Sequence, residues 1–164
     1  MLVRKIERKD AEQFLGMLKQ LDNETKFMLY EPGERKTTVE GMEANIDEAD
    51  KSGSLILVAE VDGKIVGFLS ADKGFANRIK HSAYIVIGIL AGYYGMGSGK
   101  SLFTEMEKWA VSTKITRLEL TVMCPNERAV KLYKKMGFEI EGIKKNSVVV
   151  DGQYIDEYYM GKLL

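Results

Sequence analysis

The segment Ile89-Leu90-Ala91-Gly92-Tyr93-Tyr94-Gly95-Met96-Gly97-Ser98-Gly99-Lys100-Ser101 has the residue types best suited to holding a ligand. Its glycines permit a tight turn, and unpaired amides at the start of a following helix bind oxygen anions. Lys100 adds a positive charge. Two familiar phosphate-binding patterns do not fit. The nucleotide P-loop needs Gly, four residues, Gly, Lys and then Ser or Thr. With Gly99-Lys100-Ser101 at its end, Tyr94 stands where the first Gly belongs. The dinucleotide pattern, begun at Gly95, meets Lys100 where its third Gly is required. A turn that binds some other anion and a turn that is only structural both remain open at this point.

The elements around this turn follow from residue periodicity. Residues 2–8 read as a first strand. Asp10 and Gln13 form a capping box for a helix whose Ala11, Phe14, Leu15, Leu18 and Leu21 share one face. Residues 23–36, with Pro32-Gly33, read as a loop. Thr37 and Glu40 cap a second helix with Val39, Met42 and Ile46 inward, stopped at residues 51–54. Asp62-Gly63 joins strands at 55–61 and 64–71 in a hairpin. The apolar run in residues 81–90 predicts an inner strand covered on both faces. A helix to about residue 113 buries Leu102, Phe103, Met106, Trp109 and Ala110, and a strand at 118–122 follows. Asn126 caps a helix that Gly137 terminates, and Asp151-Gly152 closes a final hairpin bent near Gly142.

Composition narrows the function classes. The 164 residues and 18.5 kDa suit one domain, residues 1–164. Lys plus Arg and Asp plus Glu number 24 each, so no basic excess is available for a nucleic-acid backbone. Tyr154, Tyr158 and Tyr159 lack the basic stripe that would make them a nucleic-acid platform. Near-zero charge is compatible with a homodimer. One cysteine, Cys124, and one histidine, His81, argue against disulfides and a metal site. No apolar run is long enough to cross a membrane, and the chain is expected in the cytoplasm.

The chain resembles the GCN5-related N-acetyltransferase (GNAT) superfamily. Two motifs carry the resemblance: Tyr93-Tyr94-Gly95-Met96-Gly97-Ser98-Gly99, with Leu102, and Asn126-Glu127-Arg128-Ala129-Val130-Lys131-Leu132-Tyr133-Lys134-Lys135-Met136-Gly137-Phe138. With the flanking strands and the terminal hairpin, the match covers most of the chain. It implies an α/β fold with a central, mostly antiparallel mixed sheet flanked by helices. It also implies acetyl transfer from acetyl-CoA, as donor cosubstrate and without a metal, directly to a primary amine of a small molecule or protein.

The resemblance assigns roles by position. Tyr94, Gly95, Met96, Gly97, Ser98, Gly99, Lys100 and Ser101 form the pyrophosphate turn. Tyr94 stands where the family carries Arg or Gln, so the backbone is left to do the binding. Ile87 and Ile89 line the pantetheine arm by backbone contacts, with a backbone amide near Ile89 meeting the carbonyl oxygen. Asn126 lies near the cofactor, or only caps its helix. Tyr133 stabilises or protonates the departing thiolate, or only packs its ring. Glu31 and Glu34, between the first two helices, are the candidate acceptor-binding residues. Asp156 and Glu157 in the terminal hairpin approach that pocket from another side, and surface roles suffice for them.

The base is unassigned at this stage. Residues 82–91 carry no acid, and His81, with an ordinary pKa near 6.5, precedes them. Arg78 and Lys80 read as surface residues, and Cys124 as a buried thiol. The competing readings are a longer-chain acyl-CoA-dependent acyltransferase and a noncatalytic CoA-binding or interaction module.

Overall fold

A computed structural model describes Met1 to Leu164. Its strands are β1 (Leu2–Lys5), β2 (Leu55–Val61), β3 (Lys64–Lys73), β4 (Ser82–Ile89), β5 (Arg117–Met123), β6 (Glu139–Val150) and β7 (Gln153–Leu163). Its helices are α1 (Ala11–Glu24), α2 (Val39–Ser52), α3 (Ser98–Ser112) and α4 (Glu127–Lys135). The strands form one sheet in the order β1-β2-β3-β4-β5-β7-β6. Only β4 and β5 run parallel; the other neighbours are antiparallel. This is the α/β architecture with a mostly antiparallel mixed sheet that the sequence led us to expect.

Helices cover the two faces of β4 separately. A Cβ on Gly88 would fall 2.8 Å from Leu21 of α1, so the even-numbered positions of β4 face α1. The Ile89 side chain reaches Gly99 of α3, beside Leu132 of α4, on the opposite face. The core fills both layers: Phe14, Leu18 and Leu21 from α1, and Leu102, Phe103, Met106 and Ala110 from α3, are buried against the sheet. Trp109 is only partly buried at its edge.

Both Asp-Gly turns form as anticipated, with positive φ at Asp62, Gly63, Asp151 and Gly152, the backbone twist that joins two strands most tightly. Gly53 and Gly137 sit in the left-handed region just beyond α2 and α4.

Several local expectations are corrected. The first strand is shorter, because the chain turns at Arg8–Asp10. Asp10 does not cap α1 with its side chain. Its carboxylate instead accepts from the Glu7 N–H at 2.8 Å and from Arg4. Gln13 is drawn to the β2–β3 hairpin, where it accepts from the Ile65 N–H. Thr38 rather than Thr37 caps α2, accepting from the Gly41 N–H at 3.0 Å. Helix α3 opens at Ser98, inside the glycine-rich segment 91–100 that reads as an interruption before the helix.

Candidate active site

The parallel pair β4–β5 sets up the site by coming apart. Register is kept only at Ser82–Arg117, Ala83–Leu118 and Tyr84–Glu119. Beyond Tyr84 the strands diverge, while β4 stays paired to β3 as far as Ile89. The Leu90 N–H donates to Val66 and the Ser82 carbonyl accepts from Gly74, so even-numbered backbone groups point to β3. By alternation, the N–H and C=O groups of Ile87 and Ile89, with the Ile85 C=O, turn toward the gap. An inner strand thus carries a row of unpaired polar groups. Its apolar run does not signify full coverage on both faces, because Tyr84, Val86, Ile87 and Ile89 border the cleft.

A second set of free donors lies just after β4. The Tyr94 N–H donates to Ala91 and the Ser101 N–H to Gly97, but the amides from Gly95 to Lys100 have no acceptor in the chain. Gly95 and Gly97 hold φ at +78° and +81°, which turns this backbone into the start of α3. Ser98 and Gly99 are buried and the Ser98 hydroxyl contacts Met1, leaving their amides as the groups on offer. The start of a helix also carries partial positive charge, so this arrangement favours an anion. Lys100 and Ser101 line a separate depression of about 390 Å³ with Met1 and Thr104. Tyr94 instead borders the main cleft, and the Arg128 guanidinium lies 4.0 Å from its ring centroid.

The cleft encloses about 1320 Å³ and runs through the gap between the two sheet faces. Asn126 and Tyr133 both border it. Asn126 also caps α4, its side-chain oxygen accepting from the Ala129 N–H at 3.3 Å. The Tyr133 ring packs edge-on against Phe103, with centroids 5.9 Å apart, and near Phe138. Its hydroxyl makes no hydrogen bond in the chain, yet no fully buried side-chain polar atom lacks a partner. The hydroxyl therefore opens into the cleft. Burial, with a smaller contribution from nearby Tyr84, raises the Tyr133 pKa well above the ordinary phenol value and keeps its proton in place.

The structure does not bring Glu31 and Glu34 to the cleft. Both are exposed, and the Glu34 carboxylate folds back onto the Glu31 N–H at 2.9 Å, so the local turn at Pro32-Gly33 uses it. Their loop contributes Phe27, Met28, Tyr30 and Arg35 to the cleft instead. Arg35 is held by a part-buried ion pair with Asp22 at 2.7 Å. His81 is exposed, and its carbonyl accepts from Thr116 and Arg117 where β4 and β5 are still together. Arg78 and Lys80 are exposed outside the cleft, and Cys124 is partly buried.

Sequence reasoning passed over several cleft residues. Tyr84 and Thr121 meet across the gap, hydroxyl to hydroxyl, at 2.7 Å. Asp72 borders the cleft without an ion pair, and surrounding protein raises its carboxyl pKa. Alternation places Asp72 on the α1 face, a signal available once β3 is paired with β4 in register. Of the two hairpin acids, Asp156 is held outside by Lys145 and Asn146, while Glu157 borders the cleft. Arg128 had no signal of its own, because its partner Tyr94 lies on another element.

A sheet split beside a helix start with free amides defines the acyl-CoA N-acyltransferase type of fold. The profile of the Acetyltransferase (GNAT) family matches residues 16–138, and the chain belongs to that family. The L-amino acid N-acetyltransferase AaaT of Escherichia coli is 38% identical over 119 residues, covering 70% of this chain and 72% of that protein. A GNAT-family acetyltransferase from Streptococcus pneumoniae superposes with a TM-score of 0.95 at 34% identity, covering 99% of this chain and 98% of that one. A phosphinothricin acetyltransferase from Sinorhizobium meliloti, solved with acetyl-CoA, shares the fold at 18% identity with a TM-score of 0.87, covering 99% and 88%. The chain is accordingly an N-acetyltransferase.

Proposed function

We propose that residues 1–164 act as one N-acetyltransferase domain that moves the acetyl group of acetyl-CoA directly to a primary amine of a small molecule. The observation that carries this reading is a path with free backbone donors at both ends, Ile87 and Ile89 at the gap and the Gly95–Lys100 amides at the start of α3. Tyr133 opens onto that path. The donor supplies an activated acetyl thioester and the chain supplies position and charge.

The amides from Gly95 to Lys100 hold the pyrophosphate, with Tyr94 and Arg128 beside them. The backbone edge of Ile87 and Ile89 aligns the pantetheine arm, and an N–H near Ile89 stabilises charge on the carbonyl oxygen. Asn126 fixes the start of α4 and so the placement of Tyr133, whose proton is available to the departing thiolate. The acceptor enters from the α1 and α2 face.

Calorimetric titration with acetyl-CoA tests the donor, and a panel of L-amino acids, simple amines and polyamines tests the acceptor. Saturable binding of one donor per chain and turnover with a panel amine are the expected results. Absence of binding up to millimolar acetyl-CoA refutes the reading. Tighter binding of longer acyl-CoA thioesters transfers it to a longer-chain acyltransferase.

A further inference from the structure

Resting on that reading, we infer that Glu157 is the general base that takes the proton from the acceptor amine. β4 carries no acid, so the proton needs another destination. Glu157 of β7 pairs with Met123 of β5, and extending the Tyr84–Glu119 register brings Met123 level with Gly88. Glu157 therefore stands across the gap at the height of Ile87 and Ile89. It shares a sheet face with Thr121 and Tyr84, the face on which α1 lies and from which the acceptor enters. Tyr133 approaches from the α3 side. The amine and the leaving sulfur thus have separate proton partners on opposite faces.

A β-bulge in β6 fixes the carboxylate. Register slips between Lys144 and Val148, and Asn146 takes a positive φ of +49°. Asp156 pins this bulge from outside, accepting from the Asn146 N–H and the Lys145 ammonium, each at 2.9 Å. The extra residues deliver Ser147 to the inner side, where its hydroxyl donates to Glu157. Bulges re-aim side chains next to active sites in this way. One carboxylate oxygen is thereby oriented while the other stays free for the amine.

Asp72 is the competing acid. It pairs with Tyr84, three residues below Ile87, a distance of about 10 Å along a strand. That position suits a more distant part of an acceptor. The cleft that Glu157 borders is also lined by Lys144 of β6, Lys73 of β3, Tyr84 of β4, Glu48 of α2, Glu24 of α1, Tyr30 and Arg35 of the α1–α2 loop, Tyr94 of the turn before α3, and Glu127, Arg128 and Tyr133 of α4. None of them forms an ion pair or a hydrogen bond with its carboxylate.

In the step itself, Glu157 takes one proton from the ammonium and frees the nitrogen lone pair, which forms the C–N bond to the thioester carbonyl carbon. The C–S bond then breaks with its electron pair on sulfur, and sulfur takes the Tyr133 proton. The second nitrogen proton, lost as the amide forms, restores Tyr133 through solvent, and Glu157 releases the net proton.

Glu157→Gln tests this in the whole enzyme with the best panel amine. We expect kcat to fall by about 10²- to 10⁴-fold at neutral pH, with acetyl-CoA affinity retained by calorimetry as the check on folding. The deficit should narrow as pH rises toward the amine's own pKa, because solution then supplies the neutral amine. Ser147→Ala should give a smaller loss with the same pH trend. A kcat within threefold of wild type, or a deficit constant across pH, overturns the inference while leaving acetyl transfer intact. Loss of the acidic limb in Asp72→Asn but not in Glu157→Gln overturns it in favour of Asp72. A wild-type protein inert toward the whole panel refutes the acetyltransfer reading and the inference together.

Discussion

Tyr133 and Glu157 reach the β4–β5 gap from opposite sides, and the surroundings of each suit a different task. Tyr133 packs edge-on against Phe103 and tilted against Phe138, so its position comes from packing and its hydroxyl is free of structural duty. Tyr133→Phe should therefore leave thermal stability and acetyl-CoA affinity almost unchanged. Single-turnover acetyl transfer should slow by about 10²-fold or more, the usual scale of general acid catalysis. Unchanged single-turnover chemistry would reduce Tyr133 to a packing residue. Because burial raises its pKa, loss of the Tyr133 proton should not limit activity below about pH 10, so any alkaline fall nearer neutrality must come from another group.

At the scale of elements, two glycines show how context reverses the sign of one substitution. Gly16 lies inside α1 on its exposed side, and a Cβ there would meet nothing within 4 Å. Gly16→Ala should stabilise the protein by about 0.5–1 kcal/mol, since alanine loses less backbone freedom in a helix. Gly97 precedes α3 at φ +81°, a conformation that costs an L-residue about 1–2 kcal/mol. Gly97→Ala should lower the melting temperature and also weaken acetyl-CoA binding, because relieving the strain rotates the free amides. Thermal melts with and without acetyl-CoA read both. A Gly97→Ala protein that keeps full affinity would show that these amides do not hold the donor.

For the whole molecule, the N-terminal edge is joined by a small charged network. Arg4 reaches Asp10 at 2.7 Å and Glu60 at 2.9 Å, tying the β1 edge to the turn before α1 and to β2. The hydrogen bonds from Arg4 hold the Asp10 carboxyl below its ordinary pKa, against some loss of solvation. Its folded value lies below its unfolded value, so its contribution is complete above about pH 5 and fades as pH falls through the folded value. Asp10→Asn should cost about 1–3 kcal/mol at pH 7, the range for hydrogen bonds to charged groups. The difference from wild type in urea unfolding should shrink at pH 3. Equal destabilisation at both pH values would place the effect in packing instead. At the opposite end, Lys26 pairs with Asp151, linking the α1–α2 loop to the tip of the β6–β7 hairpin beside the cleft.

The sequence alone determined what local chemistry dictates. The Asp-Gly hairpins, the α3 and α4 apolar faces, the Asn126 cap and the glycine turn each depend on neighbours a few residues away, where backbone conformation and periodicity act directly. Thr38 taking the cap from Thr37, and Gln13 leaving its box for Ile65, mark where that reach ended. Only the tertiary structure decided which acids face the cleft. Glu31 and Glu34 have suitable charge but are turned outward by their own loop, while Glu157 is turned inward by its register with β5 and by a bulge in β6. Strand register and the splitting of β4 from β5 depend on pairing between residues far apart in the chain. A one-residue change in register would exchange Glu157 for Asp156 at the cleft, and nothing in the local sequence distinguishes those two neighbours.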